Sequence, residues 1–372
     1  MNEKYHCPVI HGALVLNLKH GPLEIRSCCL REVGKVKSVG DIWSNPALVP
    51  LREFNKNNAA FDVNCWNCES LEKNGLDSYR TGMLQKHGIK FDRKGPVRID
   101  IMFDMSCNLA CRICGPDQST FWRKHMKQNN VAIPITVVEQ RDRTDEMIDH
   151  LKSLDLSELT EVVFCGGETM MGTAHWRVAE ALTKLVPNAK KQLQLQFQTN
   201  GTIPLTSRHY EIIEKFQIVK FLVSADGIKD QFEYLRWPAK WDQFTANVAA
   251  MIKEAPVNVM FNLEETLNIF NLFYQDRIDN WAKENFYINR LGDPILHCKH
   301  IVHGTFSLDN LTQEYIDAIQ GTSMSNYVKI TQQENTIAIR NMINTIQLED
   351  QLRKEDWTKT FPEVAEFYKR YI

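Results

Sequence analysis

Cys107, Cys111 and Cys114 stand at the spacing C-x3-C-x2-C in the run Cys107-Asn108-Leu109-Ala110-Cys111-Arg112-Ile113-Cys114. Thiolates placed this closely favour zinc or iron–sulfur binding. A structural zinc site is closed by four ligands. Three on one loop leave a coordination position open unless a distant side chain fills it. The chain holds ten cysteines, and they are grouped. Cys7, Cys28, Cys29, Cys65 and Cys68 precede residue 70, and Cys65-Trp66-Asn67-Cys68 is a C-x2-C half-site of the kind zinc and iron–sulfur centres use. Beyond the triplet only Cys165 and Cys298 are left over. Two groups point to two metal centres.

The triplet directly follows an apolar run, residues 97–103, that reads as a buried strand. Further strand-like runs cover 159–164, 193–197, 218–223, 257–261 and, more weakly, 295–302. Helical patterns lie between them at 119–127, 145–154, 174–185, 207–216, 241–253 and 270–284. Short buried strands separated by helices indicate a parallel sheet built from βα units. Barrels of that kind carry their chemistry on loops at the carboxyl ends of the strands, so each strand end is informative. The second ends at Cys165-Gly166-Gly167-Glu168, where paired glycines allow close backbone approach to a ligand. The third ends at Gln198-Thr199-Asn200-Gly201 and the fourth at Ser224-Ala225-Asp226-Gly227, each of which is also an ordinary turn sequence. The fifth leads to Glu264-Glu265, which either face the barrel interior as substrate or proton-handling groups or, the commoner case and the one preferred, form a solvated strand end. His297, Cys298, His300 and His303 alternate between two faces and read as polar positions of a strand near the substrate mouth.

Composition bounds the rest. A chain of 372 residues with 43% hydrophobic and 24% charged residues is long enough for two or three domains around a sizeable core. The formal net charge of -2 argues against a broad nucleic-acid-binding face. No apolar stretch has the length of a membrane span, and Met1-Asn2-Glu3-Lys4-Tyr5-His6 has no apolar signal region. A cytoplasmic protein is expected, in which ten cysteines read better as metal ligands than as disulfides. Residues 305–372 show a helix start at Ser307-Leu308-Asp309 and amphipathic segments at 336–352 and 362–371, with no ligand constellation.

Cys107, Cys111 and Cys114, set after a strand and followed by Gly115-Pro116, resemble the cluster loop of radical S-adenosylmethionine (SAM) enzymes. The resemblance implies that these thiolates hold three irons of a 4Fe–4S cluster whose fourth iron binds SAM. It implies a partial (β/α)6 TIM-like barrel over residues 93–304, a cysteine-rich module over 1–92 and a helical extension over 305–372. Gly166, Gly167 and Glu168 match the family's "GGE" segment, which meets the SAM amino group; Thr169 departs from the proline that often follows. Asn200, Ser224 and Asp226 fall in segments that approach the SAM ribose and methionine moiety. Phe232-Glu233-Tyr234-Leu235-Arg236 is similar to a stretch whose arginine pairs with the SAM carboxylate, the alternative for Arg236 being a surface helix charge. Ile113 packs against adenine on this reading, or is simple core.

Residues 1–92 resemble the SPASM or "twitch" auxiliary-cluster module of the same family, through Cys7-Pro8, the Gly21 turn before Cys28-Cys29, Ile42-Trp43-Ser44-Asn45, and Cys65-x2-Cys68 with Glu69. Such a module usually follows the radical SAM domain, and here it comes first. Cys7, Cys28, Cys65 and Cys68 would hold a second 4Fe–4S cluster, with Cys29 the substitute for Cys28; a four-cysteine zinc site is the alternative. The implied partners are SAM, a reductant such as flavodoxin or ferredoxin, and a peptide or protein substrate, with small-molecule or nucleotide-sugar chemistry as the second choice. A zinc-stabilised binding module for nucleic acid or protein would explain the cysteines but not the polar loops after successive strands. No catalytic acid or base is identified.

Overall fold

The computed structural model describes residues 5–19, 21–28, 31–35, 42–58, 60–61, 65–133, 142–286, 297–301, 305–328 and 334–372. Cys29 and His303 lie outside the described residues, as do the side chains of His297, Cys298 and His300.

Among the described residues nine strands form one mixed sheet: β1 (Ala13–Asn17), β2 (Glu24–Cys28), β3 (Arg31–Lys35), β4 (Arg98–Met102), β5 (Glu161–Cys165), β6 (Gln194–Thr199), β7 (Ile218–Ser224), β8 (Val259–Leu267) and β9 (His297–Ile301). Their order is β3-β2-β1-β4-β5-β6-β7-β8-β9. Strands β4 to β9 pair parallel in chain order, with helices in every crossover. These are the six βα strands expected. The sheet does not stop there. Strand β1 adds parallel to β4 along its whole length, from Ala13↔Arg98 to Asn17↔Met102, and β2 and β3 continue as antiparallel neighbours. The cysteine-rich segment is thus hydrogen-bonded into the same sheet as the βα strands.

Period-2 alternation sorts the two faces of the sheet. Phe164, Phe197, Phe221 and Phe261 are register neighbours, and their rings stack in a row with centroids 4.7, 5.6 and 5.5 Å apart. Trp176, on the helix Ala174–Leu185, stacks on Phe197 at 4.7 Å, and Phe244 and Val248 on the helix Trp241–Glu254 join the same buried core. The other face carries Arg98, Asp100, Glu161, Gln194, Gln196, Gln198, Lys220, Asn262 and Glu264 among Val163, Cys165, Leu222 and Met260, and is only partly buried at the glutamines and Lys220. The helix Tyr79–His87 covers its amino-terminal end. Lys86 Nζ lies 2.7 Å from Glu161, which is also 3.2 Å from Arg98. The carboxyl end is left for the loops.

A second core holds residues 305–372 against the carboxyl-end loops. Tyr234, Leu267, Phe270 and Tyr274 meet Tyr315, Ile339, Ile343, Trp357, Phe361 and Tyr368. The expected segment at 336–352 is one helix, Thr336–Arg353, capped by Asn335.

Candidate cofactor site at the carboxyl ends of the strands

The chain leaves β4 at Met102 and turns immediately. Ser106 N donates to Asp104 Oδ1 at 2.7 Å, and Cys107 N to Thr120 Oγ1 at 3.1 Å. Ser119 caps the helix Thr120–Gln128, accepting from the backbone of Phe121 and Trp122 while its hydroxyl donates to Leu109 O at 2.6 Å. Trp122 Nε1 donates to Cys111 O at 2.8 Å. On the far side Ala110 N donates to Trp237 O and Arg112 N to Leu235 O, both at 2.8 Å. Residue 236 therefore lies directly alongside Cys111.

Each neighbouring strand end is tied to this loop. Gly166 and Gly167 have φ of +91° and +56°. A Cβ at Gly167 would stand 2.4 Å from Ser106 O, and Glu168 N donates to that oxygen at 2.7 Å. What the glycines approach is the cysteine loop itself. Glu168 turns inward, and its carboxylate accepts from Met170 N (2.9 Å), Thr199 Oγ1 (2.7 Å) and Asn200 N (2.6 Å). Burial raises its pKa despite these bonds. Asn200 Nδ2 donates to Asn108 Oδ1 at 2.9 Å, and Asn108 Nδ2 to Thr202 Oγ1 at 2.8 Å. The β5 and β6 ends and the cysteine loop form one hydrogen-bonded unit.

Arg236 is buried, not a surface charge, and pairs with the fully buried Asp226 at 2.7 Å. Asp226 Oδ1 also accepts from Thr266 N at 2.8 Å. Cys111 and Cys114 act on the Arg236 guanidinium electrostatically, raising its pKa with Asp226 against the cost of burial. Ser224 ends β7 opposite Glu264 and is half-buried. Ile113 packs, partly buried, on the main core. Glu264 and Glu265 correct the solvated reading. Both are buried because β8 runs on to Leu267 and the second core closes over its end. Gln198 Nε2 donates to Glu264 at 3.4 Å, and Gln275 to Glu265.

The three thiols differ. Cys111 is buried, Cys107 half-buried and Cys114 exposed. The hydrogen bond from Cys114 lowers the Cys111 pKa against the cost of burial, and Arg236 lowers it further. The same bond raises Cys114, and burial pushes Cys107 up to about 12. Among the described residues no group of three or more His, Cys, Asp or Glu side chains could hold a metal ion as placed. A cluster asks for something different, since each thiolate binds its own iron. Three soft donors on one loop pinned by Ser119, Trp122 and Asn108 suit that donor chemistry.

The N-terminal cysteines come from three places. Cys7 precedes the short helix Pro8–Gly12, Cys28 ends β2, and Cys65 and Cys68 open the helix Trp66–Lys73. All four are half-buried. Burial pushes Cys7 up to about 12, and Cys28 and Cys65 add to the rise, while Arg80 faces Cys7 and Cys68. Arg80 is held by Glu72 and by His6 O at 3.0 Å. Sequence reasoning missed Lys19, which follows β1 and donates to Gln118 Oε1 at 2.8 Å beside the loop. It also missed the glutamine row of β6, although alternation in Gln194-Leu195-Gln196-Phe197-Gln198 carries that signal.

The fold and site define a mostly parallel α/β sheet with a three-thiol loop at the carboxyl end of its first βα strand. No protein-family model and no curated protein matches the chain. Among solved structures it is similar to Streptococcus suis SuiB bound to S-adenosylmethionine, at 13% identity and TM-score 0.39, over 85% of this chain and 62% of that one. It is also similar to anSMEcpe with bound AdoMet and Cp18Cys peptide, at 15% identity and TM-score 0.38, over 69% of this chain and 61% of that one. The chain spans about three fifths of the length of these proteins.

Proposed function

We propose that the chain is a radical SAM enzyme in which Cys107, Cys111 and Cys114 hold a 4Fe–4S cluster. One observation carries the reading: the three-thiol loop follows the first βα strand and is hydrogen-bonded to the Gly166-Gly167-Glu168 and Asn200 loops that follow the next two. When bound, the cluster and SAM supply a one-electron reductive cleavage that delivers a 5′-deoxyadenosyl radical for hydrogen abstraction. The chain's own residues do the rest. The hydrogen bonds of Ser119, Trp122 and Asn108 fix the loop, and Arg236, countered by Asp226, places a buried positive charge beside two of the thiols. Glu168 orders the glycine turn from inside, leaving main-chain groups to meet the SAM amino group, and Ser224 stands at the mouth.

Cys7, Cys28, Cys65 and Cys68 hold the auxiliary cluster, with zinc the competing occupant. The half-buried amides of β6 suit a substrate rich in hydrogen-bonding groups, in keeping with a peptide or protein, which auxiliary-cluster members of the family modify. A flavodoxin or ferredoxin supplies electrons. No helix among the described residues is long and apolar enough to cross a membrane, and the cytoplasm suits the thiols. Anaerobic reconstitution tests the assignment through metal and sulfide content. About eight irons with matching sulfide are expected for two cubane clusters; zinc without sulfide contradicts it. Reductant and SAM should then yield 5′-deoxyadenosine.

A further inference from the structure

The cysteine loop is gripped from a direction the sequence did not announce. Arg353 closes the helix Thr336–Arg353, and its guanidinium is completely buried. Nη2 donates to Ala110 O at 2.9 Å, one residue before Cys111. The plane lies over Trp122 at 4.6 Å and Trp237 at 5.2 Å, and Trp122 itself holds Cys111 O. Arg112, beside it, is countered heavily. It meets Glu349 at 3.1 Å and Asp350 and Glu355 at 2.6 Å each, over the ring of Tyr234 at 3.8 Å. Glu349 comes only within 4.0 Å of Arg353. Arg353 Nε and Nη1 are buried with no hydrogen-bond acceptor among the described residues. Three carboxylates serve the two guanidiniums, and Arg353, with Glu349 at the edge of ion-pair reach, is the one that reaches the cysteine loop from the C-terminal extension.

We infer that Arg353, delivered by the C-terminal extension, is a positioning residue that sets how readily the metal centre on the cysteine loop accepts an electron. The inference rests on the cluster reading above. Reduction adds one negative charge to the centre. A fixed buried cation stabilises that charge strongly where the dielectric is low, and net charge and second-shell hydrogen bonds are what tune iron–sulfur potentials. Such a cation raises the potential and eases electron entry. The extension is then part of the redox site as well as a packing element.

The test is a redox titration of the reconstituted full chain, following by EPR the signal that responds to SAM. Arg353→Met should lower the potential, shifting the one-electron equilibrium on the order of tenfold, about 59 mV. Arg353→Lys should return most of the shift. Glu349→Gln, which removes a nearby negative charge, should move the potential upward. Opposite signs for Arg353→Met and Glu349→Gln, at equal iron and sulfide content, support the inference. No shift in either, shifts of the same sign, or a common loss of iron overturns it and leaves a purely structural strap. If wild-type protein takes up no iron and sulfide, the cluster reading itself fails and this inference falls with it.

Discussion

The two cysteine groups are arranged in opposite ways. Cys107, Cys111 and Cys114 share one loop, bonded through its backbone to the start of the loop after β5 and to the segment 235–237, and through the Asn108 side chain to the loop after β6. Cys7, Cys28 and the pair Cys65 and Cys68 come from three separate elements spread over the first 70 residues. In the loop, one buried thiol is pulled down by its neighbour and by Arg236 while another stays exposed. In the N-terminal group every thiol is half-buried, and the nearby Arg80 is countered by Glu72. The first arrangement is pinned, with one edge open to a ligand. The second is spread over several elements, with every thiol half-buried.

That contrast can be broken by mutation, and the largest effect should fall on the loop. Cys111→Ala should abolish 5′-deoxyadenosine formation, whereas Cys65→Ala should leave SAM cleavage measurable and impair turnover of the true substrate; equal loss in both erases the distinction. Next comes the charge beside the loop. Arg236→Met strands the fully buried Asp226 and should cost about 3–5 kcal/mol in denaturant unfolding, with part recovered in Arg236→Met/Asp226→Asn. A smaller effect separates two glycines. Gly167→Ala, at φ +56° with Ser106 O in the way, should cost about 1–3 kcal/mol. Gly75→Ala, at φ +74° in open space, should cost less in the same thermal melts.

The smallest effect belongs to the N-terminal group. His11 is buried, hydrogen-bonded to the Asn55 side chain that also receives Cys7 N. Burial lowers its pKa from 6.5 to about 4. Between these values the unfolded chain binds the proton and the folded chain does not, so stability falls as pH drops through this window. His11→Gln should flatten that slope in metal-free protein; an unchanged slope assigns the acid sensitivity elsewhere.

Much of this was legible because it is local. The βα alternation appears in apolar runs, and the Cys107–Cys114 spacing is visible within one loop. Pairings made only by tertiary structure were not. Asp226 and Arg236 are separate turn and helix signals until the loop beside Cys111 brings them together. Arg353 meets Ala110 across 243 residues of chain, and no local pattern encodes that. Glu265 reads as solvated because burial there depends on a second core built from residues 305–372. The joining of β1 to β4 was hidden for a similar reason. A short apolar run after Gly12 specifies a strand but not its neighbour.

The most direct test is EPR of a Cys65→Ala/Cys68→Ala variant, reconstituted anaerobically and reduced, with and without SAM. The account predicts a 4Fe–4S signal from the remaining loop that changes when SAM is added. A protein that holds no iron on that loop, or a signal indifferent to SAM, contradicts it.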